Sequence, residues 1–213
     1  MITPELSTYK KSLKPSILAE AMKSFTECGI RAVKMDDIAK NLGISKRTLY
    51  EIYSNKEDVL ADVVKYMLDK LNKYLREYAA HCDDTIDVLL EAMRLQIEYS
   101  VSTHADFFND LHRYPVAEEQ LEKYRKGQEQ STREFFQKGV TQGFFRKDID
   151  YDIFHRITGG SVQMIRTGKQ YMDLTYQDVF KNFLSVVIRG ICTPKGVERL
   201  DRFVEIHIEQ KAK

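Results

Sequence analysis

Long apolar runs are missing from this chain: nowhere does it hold the roughly 18 consecutive apolar residues that a membrane-spanning helix needs. The first stretch, Met1 to Lys14, also lacks the apolar core of a secretory signal, so the expectation is a cytoplasmic protein with no membrane partner. Net charge is nearly absent as well. With 33 Lys and Arg against 32 Asp and Glu the formal charge is +1, so no global field draws the chain to nucleic acid or to an anionic surface. Any DNA affinity must arise from a local patch. The three cysteines, Cys28, Cys82 and Cys192, are far apart and outside any Cys-x-x-Cys pair. That argues against a disulfide framework or a zinc site and for free thiols packed as small hydrophobes.

Proline is scarce too, at positions 4, 15, 115 and 194 only. Strand signals are nearly lacking, and no internal repeat is found. Between the prolines, apolar residues recur at three- and four-residue spacing, so the fold class is all-α, with about nine or ten helices in all. Ile17, Leu18, Ala21, Met22 and Phe25 form the stripe of a first helix, with Pro15 in its first turn and Gly29 at its end. Ile38, Ala39 and Leu42 mark a short second helix stopped by Gly43, and Ile44 and Ser45 lead into a short third one. Ser54-Asn55-Lys56-Glu57 reads as a capping box, Ser54 with Glu57, opening a long fourth helix without a breaker before Cys82-Asp83-Asp84. Further helices are predicted at about 84–103, 105–113, 116–142, 150–168, 175–191 and 196–209. The chain divides into residues 1–62, too small to bury much alone, and a helical body of residues 63–213.

Three short helices with a tight turn between the second and third, the helix-turn-helix spanning about residues 36–53, are what a major-groove reader requires, because the groove admits one helix held by another. The third helix is two-faced. Leu49, Ile52 and Tyr53 lie at spacings that turn inward, on a scaffold with Ile38, Ala39, Leu42, Gly43 and Ile44, while Lys46, Arg47 and Tyr50 project from the other side. Lys46 and Arg47 sit where such a helix approaches base edges or phosphates, Thr48 donates to either, and Lys56 at the next helix start suits a phosphate oxygen. The candidate DNA-contacting set is Ser45, Lys46, Arg47, Thr48, Tyr50, Tyr53 and Lys56.

The run from Met35 to Glu57, Met-Asp-Asp-Ile-Ala-Lys-Asn-Leu-Gly-Ile-Ser-Lys-Arg-Thr-Leu-Tyr-Glu-Ile-Tyr-Ser-Asn-Lys-Glu, resembles the second, third and early fourth helices of the tetracycline-repressor (TetR) family of regulators. The likeness in sequence covers residues 12–62; beyond them only helical layout and length agree. It implies that Lys46, Arg47 and Thr48 face bases or nearby phosphates and that Tyr50 and Lys56 hold the DNA backbone. Two departures stand out: Lys34 takes the place of a common threonine cap, and Ile52 that of a histidine found in some members. The resemblance also implies that the body dimerises through its last helices and binds an inducer.

The body offers its own support. In the 150–168 helix Ile153, Phe154, Ile157, Val162 and Ile165 are apolar and Gly159-Gly160 admits another helix, while 175–191 adds Val179, Phe180, Phe183, Leu184, Val187, Ile188 and Ile191. The candidate dimer interface is Gly159, Gly160, Phe183, Val187 and Ile191, and the partner a second copy of the chain. Two recognition helices reading half-sites one turn apart match a palindromic double-stranded operator. The candidate inducer pocket is Met93, Gln96, Tyr99, Phe107, Phe136 and Met164, with Phe108 and Phe135 beside them, and the ligand a small apolar or aromatic molecule.

Enzyme readings find little. The histidines form no His-Glu-x-x-His pattern, and there is no phosphate-cradling glycine loop or nucleophile elbow. His104, Asp106, Asp110 and His112 are metal-ligand types, but their spacing does not bring all four to one helix face, so no metal and no cofactor is expected. Two readings compete with a ligand-released repressor. One is a ligand-independent architectural or cell-cycle DNA protein of the same fold. The other is a helical carrier or enzyme with a vestigial N-terminal unit.

Overall fold

Helix ends in this chain are set by local side-chain acceptors, and the apolar stripes between them set the packing. The computed structural model describes residues 8–104, 107, 110, 111, 113–167 and 174–209. In order these hold α1 (Thr8–Cys28), α2 (Met35–Asn41), α3 (Lys46–Ile52), α4 (Lys56–Ala80), α5 (Thr85–Ser102), α6 (Pro115–Thr141) and α7 (Tyr151–Thr167). Helix α8 runs without a break through Tyr176–Val179, a π-helical turn at Phe180–Leu184 and Ser185–Ile191. Helix α9 is Pro194–Val204, extended by a π-helical turn at Glu205–Glu209. Among the described residues the β-type pairing is one antiparallel bridge between Phe145 and Cys192, so the all-α expectation holds. No helix among them is long and apolar enough to cross a membrane.

Two local expectations are corrected. Pro15 lies inside α1, seven residues from Thr8, and not in the first turn; its missing N–H falls on an exposed side of the helix. The start of α4 is capped by Asn55, whose Oδ1 accepts from the Asp58 N–H at 2.9 Å, and not by a Ser54–Glu57 box. The predicted 105–113 helix, with Phe108, Asp106 and His112, falls largely outside the described residues.

By packing, the chain forms two units. The first takes its described residues from 8–71 and 102–125. Its core joins Ile17, Ala21 and Phe25 of α1, Ile38 and Ala39 of α2, Leu49 of α3, Val59, Leu60 and Val63 of α4, and Phe107. The segment after α5 is tied to it by backbone and carboxylate: the His104 N–H donates to the Thr26 carbonyl at 2.7 Å, and the Arg31 N–H to the buried Asp110 carboxylate at 3.1 Å. The sequence-based boundary at 62/63 falls within α4, and residues up to Leu71 pack with this unit.

The second unit takes its described residues from 72–101 and 126–209. Its core joins Ile86, Leu90 and Ile97 of α5, Phe136 of α6, Phe180, Leu184, Ile188 and Ile191 of α8, and Leu200 and Phe203 of α9. Phe136 stacks on Tyr151 with ring centroids 4.7 Å apart and meets Phe145 at 5.5 Å. The loop after α6 is stapled to the α8–α9 turn. The Arg146 N–H donates to the Ile191 carbonyl and the Thr193 N–H to the Phe144 carbonyl, both at 2.9 Å. Thr193 caps α9, and Arg199 reaches Asp84 and Asp87 at the α5 start.

Burial in this unit has an alkaline signature. It pushes the Cys192 thiol up to about 11 and, chiefly by the same cause, the Tyr151 phenol up to about 12. The unfolded chain ionises both groups earlier than the folded one. The stability linked to their protonated forms is therefore whole below the ordinary thiol value of 9.0 and is lost as pH rises through about 11 and then about 12. Denaturant midpoints at about pH 8 and about pH 11 are expected to fall in that order.

Candidate nucleic-acid interface

The turn between α2 and α3 is a Schellman closure. The Ile44 N–H donates to the Ala39 carbonyl at 3.0 Å and the Gly43 N–H to the Lys40 carbonyl at 3.1 Å, with Gly43 at a φ of 65°. Only a residue without a Cβ adopts that backbone cheaply, which fixes the angle at which α3 leaves α2. At the other end of α2 the Asp37 carboxylate accepts from the Lys34 N–H at 2.9 Å, supplying the terminus that Lys34 itself does not cap. Ser45 caps α3: its Oγ accepts from the Thr48 N–H at 3.0 Å.

With its start fixed, α3 divides into two faces. Leu49 is buried against the scaffold residues Ile38 and Ala39, with Leu42 and Ile44 half-buried. Outward stand Ser45, Lys46, Arg47 and Tyr50, all exposed, with Thr48 half-buried. The Arg47 side chain is 88% exposed and Tyr50 48%. Helix α3 thus offers one forked cation, one phenol and one ammonium to solvent, which suits phosphate and base-edge contacts.

Acidic partners organise these cations. Lys46 is paired with Asp36 of α2, which raises its pKa by hydrogen bond and charge. Arg47 donates from Nε to Glu51 Oε1 at 3.0 Å, and Lys10 of α1 approaches Glu51 Oε2 at 2.8 Å. Lys10 first, and Arg47 after it, hold the Glu51 carboxyl below its ordinary range. The sequence-based expectations give Asp36, Glu51 and Lys10 no part in this outer face. The Arg47–Glu51 pair was visible as an i,i+4 spacing; the other two pairings depend on the fold.

Two residues expected at DNA are placed otherwise. Tyr53 is 4% exposed, its ring in the core and its hydroxyl donating to Asp62 at 2.9 Å. Burial, and then that hydrogen bond, raise its pKa. It stands four residues after Leu49 on the same inward face, so it is scaffold. Lys56 turns its ammonium inward, donating to the carbonyls of Ile30 at 2.9 Å and Val33 at 3.1 Å. Burial lowers its pKa, against the opposing charge of Asp110. Its task is to pin the α1–α2 turn to the start of α4. Lys56→Met is expected to lower stability by about 2 kcal/mol, since two carbonyls lose a charged donor. The slope of log affinity against log salt should stay unchanged, whereas a lost phosphate contact would reduce it by about 0.9.

In the second unit the candidate pocket residues differ in burial, with Met93 packed against the same core as Phe136. Phe136 is in the aromatic core, Met164 is 52% exposed, Gln96 is exposed, and Met93 and Tyr99 are half-buried. Phe107 is buried in the first unit. An open depression in the second unit is lined instead by Val140, Gly143, Phe145, Arg146, Lys147, Asp148 and Thr193. Of the candidate dimer residues, Gly159, Phe183 and Val187 are half-buried and Gly160 is exposed, but Ile191 is buried in its own core.

The helix-turn-helix geometry coincides with a family pattern. Residues 17–63 match the model of the bacterial regulatory proteins of the tetR family. Over these residues the chain carries the DNA-binding segment of the tetR family. Likeness to TetR-family proteins extends well beyond that segment. The chain is 28% identical over 193 residues to the HTH-type transcriptional repressor KstR2 of Rhodococcus jostii, covering 87% of this chain and 94% of that protein. The solved structure of the ketosteroid transcriptional regulator KstR2 of Mycobacterium tuberculosis is similar in fold, with a TM-score of 0.52 at 22% identity, over 89% of this chain and 97% of that one. That of RolR in complex with resorcinol reaches a TM-score of 0.64 at 17% identity, over 94% and 97%.

Proposed function

We propose that this TetR-family regulator is a dimeric repressor: two copies of α3 read the halves of a palindromic operator, and a small, mainly apolar or aromatic ligand bound in the helical body, within residues 63–213, releases it. The observation that carries the reading is the two-faced α3, with Leu49 locked inside and Arg47 and Tyr50 held outside. Ser45, Lys46 and Thr48 complete the contacting face. Repression is the role named for KstR2, and a small aromatic ligand is the one named for RolR.

Dimerisation rests on α7. Ile153, Ile157 and Met164 are all more than half exposed, and with Gly160 they fall at steps of four, three and four residues, one continuous face. Phe154, Val162 and Ile165 of the same helix pack inward. A helix that buries one stripe and leaves a second apolar stripe bare is suited to a symmetric partner. On α8, exposed Val186 beside half-buried Phe183 and Val187 adds to that face.

Release requires the ligand to prefer a conformation that binds DNA poorly. The bonds from His104 and Asp110 to the α1–α2 region give the segment after α5 a direct hold on the helices that carry α3. Anisotropy titrations on a selected duplex and a scrambled one are expected to differ by a factor on the order of 1000 or more at physiological salt, and an aromatic ligand library to contain compounds that lower the specific affinity only. Equal affinity for both duplexes would exclude the reading.

A further inference from the structure

Among the outward residues of α3, Arg47 is held in a particular way. Its Nε is committed to Glu51 Oε1, one turn on, at 3.0 Å. The second carboxylate oxygen of Glu51 is held by the Lys10 ammonium at 2.8 Å, from a different helix. Each oxygen of Glu51 thus serves one cation, and the guanidinium is fixed at its inner edge while 88% of the side chain faces solvent. The two terminal amino groups of Arg47, the prongs of its fork, have no partner among the described residues.

That arrangement selects a mode of base contact. A guanidinium whose Nε is occupied still presents two parallel N–H donors end-on, spaced for two acceptors on one base edge. In the major groove guanine alone offers such a pair, O6 and N7; adenine places a donor beside N7, thymine one acceptor and a methyl group, cytosine a donor. Lys46, tied to Asp36 and ending in a compact ammonium, has no comparable fork.

Resting on the reading of α3 as the DNA-contacting helix, we propose that Arg47 reads one guanine in each half-site end-on, with Glu51 and Lys10 as the residues that position it. Glu51 has a second effect. A carboxylate on the outer face repels phosphate, so a protein docked out of register meets an unfavourable charge that correct docking, with Arg47 on its guanine, offsets. Glu51 therefore raises discrimination rather than affinity.

The test uses the full chain and a duplex selected by it from a random pool. Each guanine of the half-site is replaced in turn by 7-deazaguanine, which lacks the N7 acceptor, and binding is followed by anisotropy for the natural chain, Arg47→Lys, Glu51→Gln and Lys10→Met. The natural chain is expected to lose about tenfold at one guanine per half-site. Arg47→Lys should show no penalty there while keeping its salt slope. Glu51→Gln and Lys10→Met should shrink the penalty to about threefold or less while binding scrambled duplexes as well as or better than the natural chain, with thermal midpoints unchanged, because exposed ion pairs contribute little to stability. A full penalty retained in Glu51→Gln, or no sensitive guanine within an otherwise enriched motif, overturns the assignment alone. No enriched motif at all overturns specific DNA recognition, and this contact with it.

Discussion

Ile157→Glu is expected to leave the chain folded but monomeric, and to lower operator affinity on the order of 100-fold. Ile157 is 64% exposed in the single chain, so glutamate there meets solvent in the monomer and disturbs no core. In the proposed symmetric pair this face of α7 would be covered by the second copy, and a carboxylate there would be desolvated without a partner. The dimer therefore carries nearly the whole penalty. The loss at the operator would follow because, in the proposed dimer, each monomer would contact one half-site and the second contact would be strengthened by the high effective concentration that tethering provides. Sedimentation velocity and operator titration on the same sample check both halves. A variant that stays dimeric with native affinity would remove α7 from the interface.

Gly196→Val is expected to destabilise the chain by about 3 kcal/mol, lowering the thermal midpoint by roughly 6 to 12 °C for a chain of this size. A Cβ at Gly196 would clash with the Phe144 carbonyl oxygen and lie 3.0 Å from Cys192 Cβ. The obstacle is backbone, and that carbonyl also accepts the Thr193 N–H at 2.9 Å, so it cannot retreat without breaking the staple between the α6–α7 loop and α9. Gly127→Ala in α6 is the contrast: nothing lies within 4 Å of the added methyl, and helix propensity should add about 0.5 to 1 kcal/mol. Similar midpoints for the two variants would mean that the Phe144–Gly196 approach is not tight in solution.

The helix-turn-helix was legible because its determinants are local. Gly43 and Ser45 act on residues within five positions, through a positive φ and a cap, and Leu49 shows its inward place by its spacing along α3. The cap of α4 was misplaced by one residue because Ser54 and Asn55 are both good acceptors and only backbone geometry chooses between them. Lys56 was read as a phosphate ligand since a cation at a helix start is attractive on its own; the carbonyls of Ile30 and Val33 that claim it lie more than 20 positions earlier. Tyr53 carried an inward spacing and a polar tip at once, and the spacing decided its place.

The body was legible in helix layout and less so in side-chain use. Ile153 and Ile157 were recognised as apolar, but an apolar residue on a helix is equally suited to either stripe until the packing of Phe154, Val162 and Ile165 assigns the inner one. Ile191, counted toward a partner face, is used up at the junction with α9, where its carbonyl holds Arg146. Aromatic residues such as Phe136 serve a ligand wall and a packed core equally well in sequence, and here Tyr151 and Phe145 pack around it.

Selection of bound duplexes from a random pool by the purified chain tests the central claim most directly. A dimer presenting two copies of α3 should enrich an inverted repeat whose half-site centres lie about 10 base pairs, or a multiple of that, apart. Enrichment of no motif, or of a single unrepeated half-site, would contradict it.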